Sequence, residues 1–109
     1  MINDSKILTL GKHWSFNIIN DPKRLAFVLA RYSVPAKLAS KGKSIIELGC
    51  SEGIGIPLLM EHAKSYIGVD MDTDAIKDAE RNWKSDNIKF IEDDFLDKNY
   101  GKHDIVISL

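Results

Sequence analysis

The chain has 109 residues, 44% hydrophobic and 28% charged, with a net charge of −1; this is the make-up of one globular domain and excludes a disordered or collagen-like chain. A single cysteine, Cys50, excludes an intramolecular disulfide framework and fits a reducing compartment. No apolar run approaches the roughly 20 residues of a membrane span, and "MINDSKILTL" has too short an apolar stretch and the wrong flanks for a secretory signal, so a cytoplasmic location is expected.

Charge is unevenly spread along the chain. Residues 1–43 hold eight Lys/Arg and two Asp/Glu, whereas residues 44–109 hold seven and fourteen. Such a basic segment either attracts an anionic partner or rests on the acidic remainder, the second being the simpler expectation. Residues 1–43 read as helix and loop. In "DPKRLAFVLARY" Asp21 is a candidate N-cap and Pro22 takes the first helical position. Leu25, Val28, Leu29 and Tyr32 then recur with helical period. "SVPAKLASKGK" predicts a second short helix and a glycine-containing turn.

From residue 44 apolar runs of strand length alternate with helical stretches. "SIIEL" precedes "GIPLLMEHAK"; "YIGVD" precedes "TDAIKDAERNW", with Thr73 as a candidate N-cap; "IKFIED" and "HDIVISL" follow. This alternation predicts an α/β fold with a doubly wound parallel sheet. "DIVISL" lacks alternation and reads as a strand buried on both faces.

Acids stand at the ends of successive strands: Glu47, Asp70 and the pair Asp93–Asp94. They recur about once per strand–helix unit, which places them along the sheet rim where open α/β folds bind ligands. "IIELGCSEGIG" breaks from strand into a turn with Gly49, Gly53 and Gly55. Its spacing does not match the G-x-G-x-x-G dinucleotide fingerprint, and no G-K-[ST] follows as in a P-loop. Glu47 and Glu52 would also repel a pyrophosphate. A ligand without phosphate and with positive charge is indicated, and S-adenosylmethionine fits: it has a cationic sulfonium and amine, and a ribose diol that a carboxylate can accept.

At these residues the chain resembles the class I S-adenosylmethionine-dependent methyltransferases, Rossmann-like enzymes. "IIELGCSEG" looks like their first motif, with Glu47 as its acid, Gly49 and Gly53 as its outer glycines, and Cys50 and Ser51 in the turn that packs on the cofactor. Ser51 replaces the middle glycine. The resemblance implies that Asp70 in "YIGVDMD" holds the ribose and that Met71 packs on adenine. In "IKFIEDDFLD" it gives Asp94 the adenine amino group and Phe95 a backbone N–H facing the ring. It covers residues 44–109, the cofactor-binding part with the first four strands of a 3-2-1-4-5-7-6 sheet, and leaves residues 1–43 as a helical cap. The chain reads as one part of a longer enzyme, with an open sheet edge at its last strand that invites self-association.

Several motifs carry rival chemistry. "DMDTD" mimics the start of an EF-hand, but Ala75 and Arg81 stand where Gly and Glu are required. His13, His62 and His103 lack metal-ligand spacing, so no metal is expected. Cys50 could serve as a nucleophile, though nothing in the sequence supplies a partner base. Trp14 and Phe16 either fold over the cofactor as a lid or anchor the N-terminal segment to the core. Arg24, Lys37, Lys41 and Lys43 could meet nucleic acid but show no interleaved aromatics. No catalytic base is assigned.

The expected activity is methyl transfer from S-adenosylmethionine. The "ISL" ending of the fourth strand, without an Asn/Asp-Pro-Pro-aromatic motif, favours a small-molecule or glycan acceptor over nucleic acid. The alternatives are a cofactor-binding module without turnover and, against the glycine spacing, a nucleotide-dependent oxidoreductase.

Overall fold

The computed structural model describes residues 7–39, 42–94 and 99–108. Three helices come first: α1 (Lys12–Asn20), α2 (Pro22–Arg31) and α3 (Ser33–Leu38). Strand β1 (Ser44–Leu48), helix α4 (Ile56–Leu59), strand β2 (Ser65–Asp70), helix α5 (Thr73–Trp83), and strands β3 (Ile88–Glu92) and β4 (Ile105–Ile107) follow. The four strands are parallel and ordered β3-β2-β1-β4. This is the Rossmann-like arrangement that the alternation of strand and helix predicts.

Parallel pairing sets which side chains share a face. Glu47 lies beside Gly68 and Ile107, and Ile45 beside Tyr66 and Ile105. On this face Ile45, Tyr66 and Ile107 meet Tyr32, Ala39, Ile56, Leu59 and Ile76 in one buried cluster. Each fully buried Ile or Leu there contributes about 1.5–3 kcal/mol of transfer free energy. On the other face Ile46 is buried, but Val106 is 64% exposed. The expected two-sided burial of the last strand is therefore corrected. Isoleucines 105 and 107 point into the cluster, and no described helix covers Val106.

Two further local readings change. Helix α4 has four residues, shorter than "GIPLLMEHAK" suggested. The chain after it turns back toward the segment before β1, where Gly42 N donates to His62 O (3.1 Å) and Lys64 N to Lys43 O (2.8 Å). Helix α5 is capped by Asp72, not Thr73: Asp72 accepts from the amides of Asp74 (3.0 Å) and Ala75 (3.1 Å). The Thr73 hydroxyl instead donates to Glu92 at 3.0 Å. A carboxylate is the better cap here because it also complements the positive end of the helix dipole. No described helix is long and apolar enough to cross a membrane.

The N-terminal helices are fastened to the rest at several points. Asn82, buried on α5, exchanges two hydrogen bonds with the backbone of Thr9 (3.2 and 2.9 Å). Arg81 adds a third, to Thr9 O at 2.7 Å. The strap that leads into α1 thus runs along α5.

Candidate functional site

The rim at the carboxyl ends of β1 and β2 is organised by the turn over residues 48–55. Gly49 and Gly53 have φ of +80° and +77°, and Ser51 has +50°. Three left-handed residues let the chain reverse tightly and present backbone outward. A Cβ on Gly49 would meet nothing within 4 Å, so that glycine borders open space. Ser51 pays a steric cost that glycine would not: left-handed backbone costs an L-residue roughly 1–2 kcal/mol.

Asp70, half-buried at the end of β2, holds this turn from the side. Its Oδ2 accepts from Ser51 N at 2.7 Å and its Oδ1 from Asp72 N at 2.9 Å. The amides of Gly49 and Cys50 both donate to Val69 O, at 2.7 and 3.1 Å. The turn after β1 and the end of β2 therefore form one hydrogen-bonded unit. Each carboxylate oxygen of Asp70 keeps a second lone pair for an outside donor.

Glu47 lies beneath the turn, 1% exposed. Both of its oxygens are taken: Tyr32 and Tyr66 each donate a hydroxyl at 2.5 Å. Burial raises the Glu47 carboxyl above its ordinary range, and the two tyrosine hydrogen bonds oppose that rise. Burial likewise raises both tyrosines, helped by the neighbouring Glu47, so they remain donors at neutral pH. Gly55 permits the Tyr32 ring to lie against the backbone, since a Cβ there would fall 2.3 Å from it.

Glu52, 3% exposed, faces the other way. It accepts from Gly11 N (2.7 Å) and Trp14 N (3.4 Å), the N-cap and first-turn amides of α1. A carboxylate from the glycine turn thus caps the first helix of the chain. This pairing is not legible in the sequence, because the partners are 41 and 38 residues apart. The only signal was an acid too many beside the glycines.

These contacts lay α1 across the rim. His13 Nε2 stands 3.2 Å from Asp72 Oδ2, and Lys12 Nζ 3.7 Å from Asp74. Hydrogen bonds from the Ala75 amide and from His13 lower the Asp72 carboxyl. Between helices and turn lies a cavity of about 300 Å³ lined by Gly49, Cys50 and Ser51 on one side and by His13, Trp14, Arg24, Arg31 and Tyr32 on the other.

Gly49, Cys50 and Ser51 line the cavity, Asp70 holds Ser51 without lining it, and Gly53 faces Ile56 and Trp83. Glu47 supports the turn from below without lining the cavity. Met71, 70% exposed, and Asp94, also exposed, stand along the rim beyond the cavity. Phe95 lies outside the described residues. The Cys50 thiol is buried, and burial, with Glu47 and Asp70 near it, pushes it well above its usual range. It is therefore a packed small residue at neutral pH and no thiolate nucleophile. Trp14, 8% exposed, anchors α1. Among the described residues no cluster of three or more His, Cys, Asp or Glu could hold a metal ion.

Residues 39–109 match the family of methyltransferase domains, and the chain belongs to that family. It is 31% identical over 85 residues to the ribosomal RNA small subunit methyltransferase A of Mesomycoplasma hyopneumoniae, which covers 78% of this chain and 30% of that protein. In solved structures the fold recurs in a dimethyladenosine transferase from Plasmodium falciparum, with TM-score 0.61, 22% identity, and 75% of this chain and 30% of that one covered. It also recurs in a methyltransferase from Thiobacillus denitrificans in complex with S-adenosyl-L-homocysteine, with TM-score 0.60, 17% identity, and coverage of 94% and 44%. The chain spans about a third or less of the length of the curated relatives it matches.

The expectation of a small-molecule or glycan acceptor, with nucleic acid disfavoured, does not stand. The relative at 31% identity is by name a ribosomal RNA methyltransferase. That expectation rested on the residues closing β4, of which Ile105–Ile107 form the strand and Leu109 lies outside the described residues. A stretch so short selects no acceptor.

Proposed function

We propose that residues 44–109 hold S-adenosylmethionine for methyl transfer and that residues 1–43 cap the bound cofactor. The observation that carries this reading is the unit made by the left-handed turn and Asp70. Open space above Gly49 lets a ligand lie on backbone, with a carboxylate 2.7 Å from the Ser51 amide beside it. The cavity wall of Gly49, Cys50 and Ser51 would take the methionine end, Asp70 the ribose hydroxyls, and Asp94 the adenine amino group. Met71, exposed next to Asp70, would lie on the adenine ring.

Bound there, the cofactor supplies a methyl group on a sulfonium, already activated toward a nucleophile. What the chain contributes is position and exclusion of water. Tyr32, Trp14 and Ile54 wall the cavity, while Glu47 and Glu52 keep that wall fixed to the turn. A reducing, cytoplasmic setting is part of the same reading, since a single cysteine forms no intramolecular disulfide.

Calorimetric titration with S-adenosylmethionine and S-adenosyl-L-homocysteine, with NAD as control, tests the reading. Saturable binding of the first two and none of NAD is expected. Binding of NAD alone would replace it with the oxidoreductase reading.

A further inference from the structure

Residues 22–43 contain six Lys/Arg and no Asp/Glu. On α2 the half-buried Leu25, Val28 and Leu29 turn inward, and Lys23, Arg24, Phe27 and Arg31 are exposed. At 3.6 residues per turn these four fall on one stripe, about a third of the helix circumference. Phe27 is 72% exposed and sits between the two arginines along that stripe. Neither guanidinium is in a salt bridge among the described residues.

The stripe borders a groove of about 410 Å³, lined by Asp21, Lys23, Arg24, Phe27, Val28 and Arg31. Three cations face one acid there. Arg24, Val28 and Arg31 also line the cavity at the Gly49–Ser51 turn. Groove and cavity therefore share a wall, made by Arg24, Val28 and Arg31.

An exposed ring between unpaired cations suits one class of ligand better than its rivals. An acidic peptide would use the guanidiniums and leave the ring idle. An apolar partner would use the ring and bury two unpaired charges, which is costly. A single nucleic-acid strand uses both, with phosphates on the cations and a base stacked on the ring. We propose that the Lys23–Arg24–Phe27–Arg31 face docks a single-stranded segment of nucleic acid as the methyl acceptor. Its target base enters the cavity from the Arg24–Arg31 side and faces the methionine end held at the turn. The acceptor role rests on the methyl-transfer reading above; the docking face does not.

The test is fluorescence anisotropy with a labelled 12-nucleotide single-stranded RNA, in parallel with S-adenosyl-L-homocysteine titration. A matched DNA strand, the same RNA as a duplex, and polyglutamate serve as comparisons. The chain is expected to bind the single strands in preference to duplex and polyglutamate. Phe27→Ala is expected to weaken the RNA about tenfold, within the range of one base–aromatic stack, while its circular dichroism spectrum is unchanged. Replacing Arg24 and Arg31 together by Gln is expected to reduce the slope of log K against log salt by about 1.4, or 0.7 per phosphate released. Equal RNA affinity in Phe27→Ala, or binding of polyglutamate as tight as RNA, overturns the proposal. So does preference for the duplex. Homocysteine-product binding without RNA binding sinks the docking face alone; RNA binding without it sinks the cofactor reading and leaves the face.

Discussion

Glu47, near the end of β1, and Glu52, within the glycine turn, each accept a hydrogen bond from the N-terminal segment. Glu47 takes the Tyr32 hydroxyl at 2.5 Å, and Glu52 takes the Gly11 amide at 2.7 Å. Both acids are structural acceptors here, and they tie the N-terminal segment to the sheet.

Loss of Glu52 should therefore loosen α1 and spare the sheet. Glu52→Ala removes the carboxylate from two helix-terminal amides, a change worth about 1–2 kcal/mol. Hydrogen exchange is expected to speed up over residues 11–20 while β1 and β2 keep their protection. Uniform loss of protection across the chain would show that the contact supports the whole fold instead.

Ser51 carries the opposite sign. Ser51→Gly should relieve the left-handed strain at φ +50° and raise stability by about 1 kcal/mol in urea unfolding. A lower midpoint would mean that the serine side chain compensates for its backbone.

Asp70→Ala is expected to weaken S-adenosyl-L-homocysteine by about 1.5–3 kcal/mol, the scale of hydrogen bonds to a charged group. Calorimetry reads it directly. Affinity unchanged in a folded variant removes the ribose role from this residue.

Stability should also depend on pH through Glu47. Burial holds its carboxyl above the ordinary value of 4.5, so the folded state keeps the proton longer than the unfolded chain does. The contribution is full below pH 4.5 and declines as pH rises through the raised value. Glu47→Gln should flatten the decline, measured as the difference in urea midpoint between the two proteins from acid to neutral pH. Identical pH profiles would show that Glu47 does not titrate in that window.

Much of this architecture is legible in the chain because it is local. Strand β1 occupies "SIIEL" and helix α5 occupies "TDAIKDAERNW", where period and apolar pattern act over a few residues. The turn and Asp70 follow from the same alternation. Hidden from the sequence were contacts between distant segments: Tyr32 on Glu47, Gly11 on Glu52, Thr9 on Asn82. Phe27 was hidden for a related reason. Its helix shows an apolar stripe through Leu25 and Val28, and only the packing reveals that the ring falls outside it.

The Glu52 cap has a consequence for engineering and for evolution. A helical segment joined by a linker can be exchanged for another without disturbing the rest of a fold. Here the turn itself supplies a buried carboxylate to the first helix, and deleting residues 7–20 would strand that charge under the glycine loop. The N-terminal helices are thus not a replaceable module. Replacing them in this chain calls for a change at position 52 in the same step.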